Sequence, residues 1–130
     1  MEWDQELFEY RLSKAYDTLK DATILANSKR WNSCVNRLYY ACFYAVLALL
    51  MKDGKSSSKH TGIRSIFNKD YVKTGKISLK FGQLYNSLFE GRQESDYMPY
   101  VYFQEDQVIP WLKLTTTFID FIAELTKTNK

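Results

Sequence analysis

The chain has 130 residues, which is the size of one domain, and we predict a single domain over residues 1–130. Hydrophobic residues make up 45% of the sequence and aromatic residues 16%, with only five Gly and two Pro. This composition excludes a disordered chain and offers too few turn-forming residues for a many-stranded sandwich. It predicts a compact, Tyr-rich, helical domain.

The net charge of +3 is unevenly distributed along the chain. The segment 52–80 has eight basic and two acidic residues, hence a charge of +6, so the remainder carries −3. A basic middle segment in a chain that is otherwise net acidic is typical of some proteins that bind phosphate or nucleic acid. Charge alone favours the other interpretation, a lysine-rich solvated surface.

Several classes of protein are excluded by local features. The start, residues 1–6, is acidic, so we expect no signal peptide. The uncharged run 38–51 would span about 21 Å as a helix, less than the ~30 Å of a bilayer core, and is therefore expected to be a buried helix of a cytoplasmic protein. Cys34 and Cys42 would lie about 12 Å apart on that helix, beyond the ~7 Å limit for a disulfide. With no Cys/His grouping, we expect neither a metal site nor a cofactor.

Two long segments in the first half of the chain carry apolar residues with the period of a helix. The first, over 4–27, has one apolar stripe. The second, over 30–52, has two stripes, which predicts a central helix covered on most sides. Gly54 is the expected stop of this helix.

Three shorter or later segments are also predicted to be helical. A short helix covers 59–68, another runs from 79 to about 91 with Ser78 as its N-cap, and the last runs from Glu105 or Asp106 to near Lys127. Pro110 is tolerable only in a first turn, which argues against a much earlier start. Residues 70–77 and 91–103 are expected to be loops. These elements predict an all-α fold, an antiparallel bundle of four to five helices.

Polar side chains with binding chemistry fall into two groups. Arg37, Tyr40 and Tyr44 share one side of the second helix, with Asn36 one turn from Tyr40. The other group is the run 92–97. Arginine offers a planar fork for phosphate, and tyrosine offers a ring for stacking. The same residues would equally suit an Arg–carboxylate–Tyr network that locks helices together, and both interpretations remain open.

Four stretches resemble the HEPN domain, the higher eukaryote and prokaryote nucleotide-binding module. They are Asn36–Ala45, Lys59–Ile63, Phe67–Gly75 and Leu88–Tyr97. The chain is most similar to small stand-alone prokaryotic members that are often encoded beside a minimal nucleotidyltransferase. The resemblance implies a bundle of four or five helices, a homodimer, and association with nucleotides, RNA or a nucleotidyltransferase partner.

Many HEPN proteins are metal-independent ribonucleases of toxin–antitoxin or defence systems, whose motif is an Arg followed four to six residues later by a His. Here Arg92 is present, but Tyr97 occupies the later position, and His60 instead precedes Arg64. A tyrosine with its ordinary pKa of ~10 is poorly matched to proton transfer near neutrality. The departure weakens the prediction of a ribonuclease.

We therefore predict a non-catalytic or weakly catalytic HEPN binding module for a nucleotide, RNA or a nucleotidyltransferase partner, in a toxin–antitoxin-like or defence system. The predicted cleft residues are Asn36, Arg37, Tyr40, Tyr44, Arg92, Asp96 and Tyr97, with Lys59 and His60 as a basic rim. One alternative is a ribonuclease toxin that uses Arg92 and Tyr97. Another is a structural dimeric scaffold, in which these side chains only fasten helices.

Overall fold

The computed structural model describes residues 4–128 and confirms the predicted all-α fold. Within these residues there are five α-helices and no strand: α1 (Gln5–Asn27), α2 (Trp31–Lys52), α3 (His60–Phe67), α4 (Leu79–Tyr97) and α5 (Glu105–Thr128). The ends of the predicted domain, residues 1–3 and 129–130, lie outside the described residues. The expectation that the acidic start is no signal peptide rests partly on them.

Helix α2 is the central element, as its two apolar stripes predict. It contacts α1, α3, α4 and α5. A short turn joins it to α1, so these two helices form an antiparallel hairpin; Lys29 in this turn has a φ of 58°. The buried side chains of α2 are Cys34, Val35, Leu38, Tyr39, Ala41, Cys42, Ala45, Val46, Ala48, Leu49 and Leu50.

The length and hydropathy of α2 would allow it to cross a membrane, so its surroundings decide how it is interpreted. Among the other helices of the bundle, 61% of its most apolar window is buried. Burial on this scale is typical of the core helix of a soluble protein. Both cysteines on α2 are free and buried.

The chain after α3 differs from the expected loop, because the helix continues as a π-helical turn, Asn68–Val72. The predicted loop from Asp70 is therefore wrong in its first part. Tyr71 explains the difference: it is 1% exposed, and its ring stacks on that of Phe67 with centroids 6.4 Å apart. Its hydroxyl donates to Asp53 at 2.5 Å. These contacts link distant positions, which local sequence does not reveal.

Helix α4 is longer than predicted, because Gly91 does not end it and the helix continues to Tyr97. The glycine instead allows a close approach: a Cβ at this position would lie 3.1 Å from the ring of Phe103. Asn32 holds that segment on α2, since its side chain donates to Val101 O (2.7 Å) and accepts from Phe103 N (2.8 Å). The run 92–97 is therefore helical, and its Ser95 and Asp96 line a pocket together with Asn32 and Ser33 at the start of α2.

The other predicted helix ends are close to those observed. Ser78 occupies the N-cap position of α4, although its side chain makes no capping hydrogen bond there. Gly54, with a φ of 72°, follows the end of α2 as predicted. Helix α5 begins at Glu105, as predicted, so Pro110 is its sixth residue and lies in the second turn rather than the first. The missing N–H of a proline removes one helical hydrogen bond at that point.

We predict that Gly82→Ala destabilises the protein although alanine is the better helix former. A Cβ at position 82 would lie 2.8 Å and 3.0 Å from the two methyl groups of Val72. Overpacking costs ~1–3 kcal/mol, against a gain of ~1 kcal/mol in helix propensity. We expect a net loss of about 1 kcal/mol by urea unfolding. In a Val72→Ala background the two methyl groups are gone, so Gly82→Ala should stabilise the protein. An equal loss of unfolding free energy in that background would contradict the steric cause.

Candidate functional site

Two arginines from different helices lie over the ring of Tyr40. The Cζ atom of Arg37, on α2, is 5.2 Å from the ring centroid, and that of Arg92, on α4, is 5.6 Å from it. Arg92 also lies over Tyr39, 4.9 Å from that centroid. The two groups of polar residues singled out in the sequence therefore meet, because α4 continues past Gly91 and packs on α2.

The positive charge of these guanidinium groups is only partly compensated. The side chain of Arg92 is 11% exposed, and its nearest carboxylate, Asp96, is 3.4 Å away. Its Nε atom is buried and has no hydrogen-bond partner within residues 4–128. Arg37 donates from Nε and Nη2 to the side-chain oxygen of Asn36, at 3.0 and 2.8 Å. Two cations therefore face one carboxylate here.

His60, the first residue of α3, joins the same cluster. Its ring stacks on Phe43, with centroids 4.2 Å apart and planes 6° from parallel. Its Nδ1 atom lies 2.8 Å from the hydroxyl oxygen of Tyr39. The imidazole is also 5.9 Å from the ring of Tyr40, edge to face. His60 and Arg92 therefore contact the same two tyrosine rings.

The surroundings keep His60 neutral and Tyr39 protonated. Burial lowers the pKa of His60 below its ordinary 6.5, and the positive charge of Arg92 lowers it further. Burial raises the pKa of Tyr39 to about 12. When the Tyr39 hydroxyl donates to Nδ1, the imidazole proton is on Nε2; in the other tautomer Nε2 is a base. In the first form Nε2 can donate a hydrogen bond to an anion beside Arg92. In the second form Nε2 can accept a proton.

A polar pocket of about 390 Å³ adjoins this cluster, between the end of α1, the start of α2 and the end of α4. Three of the predicted cleft residues contribute to it. Hydroxyl and amide groups supply most of its other polar lining, which suits a ligand with several hydrogen-bonding groups. The polar residues that line it are Asn32, Ser33, Asn36, Arg37, Ser95 and Asp96.

The remaining predicted site residues are placed differently. Tyr44 belongs to the ring cluster, with its centroid 6.3 Å from that of Tyr40. Lys59 is exposed at the N-cap position of α3, beside His60. Tyr97 is 75% exposed and, within the described chain, makes no hydrogen bond or ring contact with the cluster. The described residues contain no group of His, Cys, Asp and Glu side chains that could hold a metal ion.

Sequence reasoning missed the contact between His60 and the surroundings of Arg92. The sequence predicts His60 only as part of a basic rim with Lys59. Its position depends on how α3 packs against α2, and Phe43, on which it stacks, has the spacing of an ordinary core residue. The one available signal was Tyr39, a hydroxyl-bearing residue at a position with the period of the buried face.

Comparisons with known proteins match residues 8–125 to the HEPN domain. A UPF0332 protein of Thermotoga maritima is 42% identical over 121 residues, covering 93% of this chain and 92% of that protein. A UPF0332 protein of Archaeoglobus fulgidus is 27% identical, covering 94% and 97%. A Methanocaldococcus jannaschii protein named "Putative toxin" is 33% identical over 89 residues, covering 68% of this chain and 60% of its own length.

The match extends over both helices that carry the arginines and over the helix that carries His60. On these grounds the chain belongs to the HEPN domain family.

Proposed function

We propose that this protein is a toxin-like HEPN module that binds a phosphate group of a nucleotide or of RNA between Arg37 and Arg92. The observation that carries the proposal is the pair of guanidinium groups over Tyr40 with a single carboxylate, Asp96, beside them. A phosphate would supply the missing negative charge and accept hydrogen bonds from the arginine forks.

The polar pocket and the tyrosine rings favour a nucleotide over a bare anion. Base and sugar groups can hydrogen-bond to the amides and hydroxyls of the pocket, at Asn36 and Ser95 for example. The ring of Tyr44, which is partly exposed and lies 6.3 Å from that of Tyr40, offers a stacking surface near the phosphate position. The relatives named as toxins support a role of the same kind for this chain.

The homodimer, the nucleotidyltransferase partner and the cytoplasmic location stay predictions from the sequence and from the family resemblance.

Large apolar side chains are exposed directly after Arg92, which favours an interaction surface at this end of the molecule. They are Tyr97, Met98, Tyr100 and Tyr102, with exposed fractions between 56% and 87%.

A ribonuclease is the second candidate function, favoured by His60 rather than by Tyr97. A cation that binds the phosphodiester and a neutral imidazole that moves a proton are the two parts needed for metal-independent RNA cleavage. The structure brings Arg92 and His60 to the same two tyrosine rings. The family motif expects the histidine five or so residues after the arginine, where this chain has Tyr97.

Replacing Arg92 with Gln should weaken binding of AMP and of a short oligoribonucleotide. Charge-assisted hydrogen bonds contribute ~1.5–3 kcal/mol, so we expect a loss of about 10- to 100-fold in affinity at low salt. Titration calorimetry measures the affinity, and circular dichroism checks the fold. Arg11→Gln is the matched control, since Arg11 contacts Met51, about 16 Å along α2 from Tyr40.

Two results would contradict the proposal. One is wild-type protein that binds neither AMP nor the oligoribonucleotide. The other is an Arg92→Gln variant that loses its cooperative unfolding while Arg37→Gln binds like the wild type. The second result would support the purely structural scaffold instead.

If the protein cleaves RNA, we expect His60→Gln to abolish cleavage and Tyr97→Phe to leave it within about twofold, because general acid–base catalysis contributes ~10²–10⁴-fold. The assay follows a labelled oligoribonucleotide in EDTA. Loss of cleavage with Tyr97→Phe, and its retention with His60→Gln, would assign the proton transfer to Tyr97. Arg92→Gln should abolish cleavage in either case.

The environment of His60 also predicts how stability depends on pH. Its pKa is lowered in the folded protein, so between the folded pKa and the ordinary value of 6.5 the unfolded chain binds the extra proton. As pH falls below 6.5, the wild type should therefore lose free energy of unfolding relative to His60→Gln. Above pH 7 the difference should be constant. Urea unfolding at pH 5.5–8 measures both free energies. If they changed in parallel with pH for the wild type and His60→Gln, the lowered pKa of His60 would be contradicted.

A further inference from the structure

A second basic surface lies in a groove between α3, its π-helical extension and α4. The groove encloses about 660 Å³. Three cations and one carboxylate line it, so its net charge is positive. The charged and amide side chains are Arg64, Asn68, Lys69, Lys73, Asn86 and Glu90.

The charges of the groove are not cancelled by their neighbours. Lys69 and Lys73 are exposed, and neither forms an ion pair within residues 4–128. Asp70, the acid between them in sequence, is instead paired with Lys55 at 3.0 Å. Glu90 reaches Arg64 at 3.6 Å but is 69% exposed. An exposed pair at this distance contributes little and can be displaced by a phosphate.

Two amide side chains also line the groove. Asn68 and Asn86 exchange side-chain hydrogen bonds at 3.0 and 3.3 Å. A reciprocal amide pair uses one donor and one acceptor of each residue, which leaves one N–H per side chain for another acceptor. Amide donors between two lysines and an arginine are suited to phosphate oxygens.

The groove begins one helical turn along α3 from His60, which belongs to the cluster around Arg92. His60, Arg64 and Asn68 follow one another at intervals of four residues, so they lie on one side of the α3 segment over about 12 Å. The guanidinium group of Arg64 lies 4.0 Å from the ring centroid of Phe89. The ring of Phe89 in turn contacts that of Tyr39, with centroids 5.8 Å apart.

We infer that this groove binds the phosphodiester backbone of a single-stranded nucleic acid that has another of its phosphates held at Arg92. The inference rests on the proposed function, which it deepens by naming a strand of several nucleotides as the ligand. At ~3.4 Å per stacked nucleotide, 12 Å corresponds to about four nucleotides. Phosphates further along the strand reach Lys69 and Lys73, whereas a dinucleotide at Arg92 does not.

Fluorescence anisotropy with an eight-nucleotide oligouridylate, the matching oligodeoxythymidylate and a uridine dinucleotide tests this inference. We expect Lys69→Gln/Lys73→Gln to lower octamer affinity about 10-fold at 50 mM salt and to leave dinucleotide affinity unchanged. Loss of two phosphate contacts should also reduce the salt slope by about 1.4. Lys20→Gln/Lys113→Gln, with exposed lysines on α1 and α5, is the matched control.

The outcomes separate the two proposals. The proposal for the groove is contradicted if the octamer has the same affinity for the double variant as for the wild type. It is also contradicted if the double variant weakens the dinucleotide as much as the octamer. Neither result contradicts the proposed phosphate site at Arg92. Wild-type protein that binds neither probe overturns both. Preference between the RNA and DNA octamers identifies which nucleic acid the groove takes, and equal weakening of both by the variant supports readout of the backbone.

Discussion

The contact of Arg92 with the faces of Tyr39 and Tyr40 is the interaction on which the site depends. A guanidinium group that is 11% exposed requires compensation, and its carboxylate partner Asp96 is 3.4 Å away. The two aromatic faces supply part of it, since a desolvated cation–π contact contributes about 2 kcal/mol. The contact also joins α4 to α2. An arginine held this way is rigid before any ligand arrives, so less conformational entropy is lost on binding.

The same tyrosine rings connect Arg92 to His60 and give the imidazole its chemical character. Tyr39 fixes the ring through Nδ1, and Phe43 supports its face. Burial lowers the pKa of His60 and the nearby cation lowers it further, so that the neutral imidazole predominates at neutral pH. A neutral imidazole beside a phosphate-binding cation can transfer a proton near neutral pH.

The helices were predictable from sequence because their apolar residues repeat with a period of 3.6, and Arg37, Tyr40 and Tyr44 could be placed on one side of α2 by the same arithmetic. The errors arose where tertiary contacts override local signals. Gly91 has the sequence signature of a helix stop but serves the close approach of Phe103. His60 reaches the cluster only because α3 packs against α2, and no spacing in the sequence encodes that contact.

From its charge, the basic segment 52–80 could be a phosphate-binding surface or a lysine-rich solvated surface. In the structure its lysines fall into two groups with different surroundings. On one side, Lys55 pairs with Asp70 and lies 4.9 Å from the ring of Tyr71, and Lys76 lies over the same ring. These lysines stabilise the chain between α2 and α4. On the other side, Lys69 and Lys73 face the groove without acidic partners in the described chain. The π-helical turn brings about this division, because it buries Tyr71 while it directs the lysines on either side of it toward α4.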